Sequence, residues 1–366
     1  MAGEHVWRRV TAAQALLAER NVDALVLLLQ EGVNWESVYY LSGFRGTSGA
    51  LLVTGDDAVL VTDGRYLAQA RRQSPFSLVP QEGKGLLDVL GDLLRRRHLK
   101  SVGFEGDKVS FATYRRLADM GVWWEDVSDL LPRLRRRKDA QERRLIEEAA
   151  KRASFAFLEM LKRLEPGMTE RRVAALLEFL LREAGADGGW GTMDFIVASG
   201  PRSALPHGRP TDRAMERGEW VTVDFGARYE GYVCDITRTI SLGEADPWMR
   251  NVHALVLEAQ TRGRAALRPG VAVREVDEAA RSVIVAAGLG ECFSHGLGHG
   301  IGLSIHEAPR LSFRSEEILE VGDVVTVEPG VYLEGRGGVR VEDNYLMEEN
   351  GAVCLTESLP REIFVI

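Results

Sequence analysis

Along the first third of the chain, short uninterrupted apolar runs alternate with longer segments whose apolar residues recur every three or four positions. Residues 24–29, 50–53, 58–62 and 101–104 are runs of the first kind, with the length of buried strands. Residues 7–20, 66–73, 86–97 and 111–120 carry helical periodicity, so the pattern predicts a small α/β domain over 1–132. A proline and a basic run, LPRLRRRKD at 131–139, then read as a linker.

From 138 to 366 the pattern changes. A helix is expected over 140–164, where Leu145, Ile146, Ala149, Ala153, Ala156 and Leu161 make one apolar stripe that Glu165-Pro166-Gly167 stops. Further helices are expected over 169–184, 252–268 and 273–287, set among Gly-rich strands and turns. Strands following helices in this way suggest an α+β domain with an antiparallel sheet.

One internal echo carries more information than any single element. Val221-Thr222-Val223-Asp224-Phe225-Gly226 is matched by Val325-Thr326-Val327-Glu328-Pro329-Gly330, and each copy runs on to a Tyr and a Glu-Gly. A second strand with its own acid follows each, Asp235 in one copy and Glu342 in the other. Side chains two apart on a strand share a face. Asp224 therefore lies opposite the apolar face of Val221, Val223 and Phe225, and two β-ribbons could deliver four carboxylates to one cleft.

Like charges gathered away from water disfavour ionisation, so such a cluster needs protons or cations. Two divalent metals, about 3.5–4 Å apart, are the economical answer. Histidine completes the set. Of seven in the chain, His207, His295, His299 and His306 fall in Gly- or Pro-rich surroundings, three of them in HGLGHGIGLSIHE. His5, His98 and His253 read as ordinary surface or core residues.

Composition narrows the classes. The net charge of -8 argues against a nucleic-acid binder, despite the arginine runs at 95–97 and 133–138. The three cysteines, Cys234, Cys292 and Cys354, form no CxxC pair, so neither a thiolate metal site nor a disulfide framework is expected. MAGEHVWRRV has no apolar signal region and no run is long enough for a bilayer, so a cytoplasmic location away from membranes is expected.

SGPRSALPHG, VDFGARYEGYVCDITRT, HGLGHGIGLSIHE, VEPGVY and VRVEDNYL resemble the five signature segments of the pita-bread metallopeptidases. Within that family they are most similar to the Xaa-Pro peptidases, aminopeptidase P and prolidase. The likeness runs from about Lys138 to the end, and YYLSGFRGTSGALLV resembles the creatinase-type amino-terminal domain of the same enzymes. It implies an α+β pita-bread catalytic domain behind a creatinase-like α/β domain.

The resemblance also implies roles. Asp224 would bind one metal, His299 and Glu328 the other, with Asp235 and Glu342 bridging. Manganese suits so oxygen-rich a set, with cobalt, zinc and iron as other occupants. Glu328 would move the proton of a metal-activated water. His207, His295 and His306 would serve catalysis, with His207, His306 and Arg340 contacting substrate. Thr237, and less directly Arg340 and Tyr229, would back the ligands. The implied substrates are small peptides with proline second, and the implied assembly is a homodimer. A methionine aminopeptidase shares all five ligands but lacks the amino-terminal domain. A non-catalytic scaffold on the same fold would be expected to have lost ligands.

Overall fold

The structure, a computed structural model, describes residues 3–191 and 193–366. It divides into two compact units, Met1–Arg135 and Arg136–Ile366.

The first unit is built on a six-stranded sheet. Its order is Ser77–Pro80, Ala58–Thr62, Ser48–Thr54, Ala24–Gln30, Ser101–Phe104, Trp123–Asp126. Ala24–Gln30 pairs antiparallel with Ser48–Thr54 and parallel with Ser101–Phe104, so the sheet is mixed. Alternate residues of the central strand, Leu25, Leu27 and Leu29 against Val26 and Leu28, are all buried. Burial on both faces is why these strands read as unbroken apolar runs. The two edge strands, Ser77–Pro80 and Trp123–Asp126, escape that pattern because they are largely uncovered. The helix Trp35–Ser42 also lies outside the predicted elements; it is short, aromatic-rich and entered through a left-handed Asn34.

The basic run is no free linker. Leu130–Arg136 is helical with Leu130 and Leu131 buried, and Arg136 Nε donates to Asp323 Oδ1 at 2.8 Å. The Lys138 side chain is fully buried. Partners far along the chain have turned an apparently solvated run into structure.

In the second unit, helix Ala140–Leu161 starts at a capping box between Asp139 and Glu142, and Pro247–Ala266 starts at the Asp246 cap with proline in its first turn. Each half of the echo belongs to its own sheet. One runs Phe364–Val365, Ile236–Ser241, Trp220–Phe225, Ile196–Ser199, and the other Glu307–Leu311, Gly298–Gly300, Val324–Val327, Asp343–Glu348, Gly351–Cys354. Val325 and Val327 join Val256, Ala259, Val276 and Ala280 of the helices Pro247–Ala266 and Val273–Ala286 in one apolar core. That packing leaves the Thr326 and Glu328 face for other work.

The two ribbons differ in register. In the first, Thr237 stands across from Asp224, so Asp235 is the diagonal neighbour of Asp224. In the second, pairing steps evenly from Val327–Asp343 to Gly330–Arg340, which sets Glu328 across from Glu342.

Candidate metal centre

Asp235, His299 and Glu342 each bring one ligand atom to within 4.8 Å of the others. His299 Nε2 lies 3.2 Å from Glu328 Oε1 and 3.6 Å from Asp235 Oδ2. Asp224, on the first ribbon, accepts from Arg340 Nη2 of the second at 2.6 Å. Asp224, Asp235, His299 and Glu328 line the floor of a cleft of about 960 Å³ whose walls carry His207, His295 and His306, and Glu342 lies beside Asp235 and His299.

The backbone aims these groups. His299 sits in the short strand Gly298–Gly300, its N–H on Thr326 Oγ1 at 3.0 Å. Gly298 allows the approach, because a Cβ there would run into the Thr326 carbonyl. His299 Nδ1 lies 3.1 Å from the Gly300 carbonyl, which fixes it as donor and leaves Nε2 as the lone pair facing the acids. Asn344 brackets Asp235, accepting from its N–H at 3.0 Å and donating to its carbonyl.

Three of the four acids hold an oxygen with no partner. Asp224 Oδ1, Asp235 Oδ1 and Glu342 Oε1 are buried and without a hydrogen bond among the described residues. Buried polar atoms are almost always satisfied. Orphans that are all carboxylate oxygens call for a cation, so the residues present fit a divalent metal. The set of hard oxygens plus one imidazole is compatible with manganese and its neighbours.

Electrostatics tells the same story. Burial, then the charges of Glu342, Asp224 and Glu328, hold the Asp235 carboxyl well above the ordinary range. Burial and the charges of Glu328 and Asp224 do the same to Glu342. Burial also raises Asp224, although Arg340 opposes it. Glu328 is the exception. Burial works against its ionisation, yet the hydrogen bond and charge of His299 bring it down to about 2. His299 is raised in return, burial notwithstanding. The contact between Glu328 and His299 thus favours the charged form of each.

Several expected residues take different places. Arg340 is 3% exposed, and its guanidinium reaches Asp224, Thr237 Oγ1 at 3.0 Å, Tyr332 OH at 2.7 Å and the Pro206 carbonyl at 3.3 Å. Four of its five N–H groups are engaged, so it braces the wall and has one Nη2 N–H left for the expected substrate contact. His295 has Nδ1 on the Gly296 carbonyl at 2.8 Å and Nε2 on Tyr332 OH at 2.9 Å, so both ring nitrogens are taken. Thr237 Oγ1 donates to Glu342 Oε2 at 2.6 Å. Tyr229 is elsewhere, its ring 3.8 Å beneath the Arg152 guanidinium, because the small Arg228–Tyr229 ribbon packs on helix Ala140–Leu161. His207 and His306 stand exposed on the cleft wall, the His306 ring 4.4 Å from that of His299. Although its edge is open to the cleft, partial desolvation of the ring and the charge of His299 bring His306 down to about 4, so it is neutral at physiological pH.

Residue reading overlooked Tyr332 and Thr326. Thr326 Oγ1 donates to Glu328 Oε1 at 3.0 Å, and Tyr332 OH joins Arg340 to His295. The two-residue spacing that flagged Thr237 would have found Thr326; nothing local marks Tyr332.

An open cleft floored by under-satisfied acids and one imidazole is the layout of a metal-dependent hydrolase. The model of metallopeptidase family M24 matches residues 144–349, and that of the creatinase/prolidase N-terminal domain matches 9–137. The chain belongs to metallopeptidase family M24, with a creatinase-type amino-terminal domain ahead of a pita-bread catalytic domain. It is 40% identical over 332 residues to the uncharacterized peptidase YqhT of Bacillus subtilis, covering 90% of this chain and 93% of that one. It is 38% identical to the Xaa-Pro dipeptidase of Pyrococcus furiosus, covering 88% and 91%. The crystal structure of the X-Pro aminopeptidase from Thermotoga maritima superposes with a TM-score of 0.91 at 40% identity, covering 95% and 99%. Two of these three relatives carry names that state an Xaa-Pro peptidase activity. Among the described residues, no helix is long and apolar enough to cross a membrane.

Proposed function

We propose that the chain is a dinuclear Xaa-Pro peptidase that hydrolyses the bond between an amino-terminal residue and a following proline. The observation that carries the metal-dependent part is the set of orphaned oxygens on Asp224, Asp235 and Glu342 around His299. Asp224 would hold one ion, His299 and Glu328 the other, and Asp235 and Glu342 both, with manganese the favoured metal. When bound, such a pair lowers the pKa of a shared water and polarises the scissile carbonyl.

The chain's own residues do the rest. Glu328, steadied by Thr326, takes the proton of the attacking water and returns it to the proline nitrogen as the bond breaks. His207 and His306 offer N–H donors where the carbonyl oxygen gains charge. Arg340 holds Asp224, Thr237 and Tyr332 in place, and His295 holds Tyr332. Trp190, Ile196 and Ile305 give the cleft an apolar wall suited to a proline ring.

A second observation bears on substrate length. Arg310 and Arg314 line the cleft, and no carboxylate pairs with either guanidinium among the described residues. A free carboxylate one residue beyond the scissile bond would meet that charge, which favours a dipeptide.

The test is a manganese-supplemented assay of an Xaa-Pro dipeptide, an Xaa-Pro tripeptide and Met-Ala, side by side, with Glu328→Ala as control. The dipeptide should be cleaved fastest, and the control should lose about 10²–10⁴-fold in kcat with an unchanged circular dichroism spectrum. Cleavage of Met-Ala alone would make the chain a methionine aminopeptidase instead.

A further inference from the structure

His207 and His306 are exposed, and neither ring makes a hydrogen bond to protein among the described residues. Whatever fixes their positions must act through the backbone that carries them. For His207 that backbone is the excursion from Ser199, at the end of strand Ile196–Ser199, to Thr211.

The base of the excursion is closed by one carboxylate. Glu170, the first residue of helix Glu170–Glu183, has a fully buried side chain. Its Oε1 accepts from Ser199 N–H at 2.9 Å and Ser199 Oγ at 2.8 Å. Its Oε2 accepts from Thr211 N–H at 3.0 Å and Thr211 Oγ1 at 2.7 Å. Arg202 Nε lies 3.2 Å from both oxygens, and its Nη2 reaches the Arg209 carbonyl at 2.7 Å inside the excursion.

Glu170 is not needed to cap its own helix, because Thr169 Oγ1 already accepts from Arg172 N–H. A buried carboxylate costs desolvation that only full hydrogen bonding offsets, and here every donor comes from the two ends of one segment or from Arg202 within it. The tip is held separately, by Arg340 Nη1 on the Pro206 carbonyl next to His207. The segment is pinned at base and tip, with His207 in a turn that the Gly208 N–H closes on the Leu205 carbonyl at 3.0 Å.

We propose that Glu170 is a positioning residue of the cleft, closing the 199–211 excursion so that His207 stands where substrate meets it. The inference rests on the Xaa-Pro peptidase reading for its activity test. Glu170→Gln keeps the volume but loses the charge, and its amide nitrogen cannot accept from Ser199 or Thr211. In the full-length, metal-loaded enzyme, assayed well below each variant's Tm, it should lose about ten-fold or more in kcat/KM, since small misplacements of a reacting group cost up to ~10²-fold.

The deciding measurement is a pair of double-mutant cycles. Added to His207→Ala, Glu170→Gln should cost nothing further; added to His306→Ala, its loss should multiply in full. A role confined to folding would multiply with both, and that result overturns the proposal, as does a folded Glu170→Gln with parental kcat/KM. If Glu170→Gln fails to fold, Thr211→Val, which removes one leg of the clamp, takes its place in the same cycles. A parent chain that cleaves no Xaa-Pro peptide would sink the functional reading alone. The histidine ring signals of the zinc-loaded chain then decide: the His207 signal should move in Glu170→Gln while that of His98 stays, and an unmoved His207 signal refutes the clamp.

Discussion

Glu342 and Asp343 follow one another in the chain, both buried, and strand alternation turns them to opposite sides of the same ribbon. Asp343 is surrounded by donors: Arg238 Nη2 at 2.8 Å, Thr356 Oγ1 at 2.6 Å, Arg361 Nε at 2.5 Å and Gln260 Nε2 at 3.1 Å. Glu342 has Thr237 on one oxygen, nothing on the other among the described residues, and acids for neighbours. A buried acid that serves only the fold is saturated; one reserved for a ligand is left with capacity to spare. Arg238 joins the two sides, since it also donates to the carbonyls of Thr237 and Glu342. The saturated cluster is the rigid backing of the unsaturated one.

The contrast can be broken most forcibly by removing each acid in turn. Asp343→Ala strands a fully buried Arg238 without its counter-ion, and urea unfolding should show a loss of about 3–5 kcal/mol. Glu342→Gln in the metal-free chain removes like-charge repulsion and should leave stability equal or higher, while titration calorimetry shows tight metal binding gone. Equal destabilisation by both would erase the distinction.

A pH series sharpens it. Asp235, Glu342 and His299 are all raised in the metal-free chain, so the folded state binds more protons than the unfolded one, and their stability is lost as pH climbs through the raised values. His253 and His306, each brought down to about 4, act oppositely, but only between about pH 4 and the ordinary histidine value near 6.5. Above about pH 6.5 the raised groups act alone. The Tm of the metal-free chain should therefore fall from pH 7 to 9, while that of the manganese-loaded chain, whose ligands must be deprotonated, should hold or rise. Parallel curves would mean that the acids are not neutralised by metal.

Thr237→Val is a gentler probe. It takes the single donor from Glu342 Oε2 and an acceptor from Arg340 Nε, leaving packing nearly unchanged. Groups that orient metal ligands commonly contribute 10–100-fold, and a loss of about that size in metal affinity is expected, with little change in urea midpoint.

How much of this was legible in the sequence follows from what each feature depends on. The ribbons and their acids could be read because strand period and residue type are local, and the echo doubled the signal. Thr237 was legible for the same reason, and Thr326 obeys the same spacing. Tyr332 was not, because it meets Arg340 through the pairing of Gly330–Leu333 with Gly337–Arg340 and meets His295 across 37 positions of the chain. Nor was the fate of the basic run, since Arg136 meets Asp323 across 187 positions. Edge strands hid because they bury too little to show a pattern. The clamp on the His207 segment was equally hidden, for Glu170 looks like any acid in a first helical turn.

The smallest effect is expected where the two copies of the echo part company. Tyr229 and Tyr332 occupy similar positions in the two copies, yet the family resemblance pointed to Tyr229, not Tyr332, as backing for the ligands. The copies differ after the matched strands: Arg228–Tyr229 turns away to pair with Tyr232–Val233, and Tyr229 ends beneath Arg152, whereas Tyr332 lies on a ribbon that returns to Arg340. Tyr229→Leu should leave kcat/KM and metal affinity untouched and cost about 0.5–1 kcal/mol in unfolding, the worth of a cation resting on an exposed ring face. Loss of activity in that variant at full metal occupancy would tie the first ribbon's turn to the centre after all. It would also mean that the two halves are more alike in function than their registers are in space.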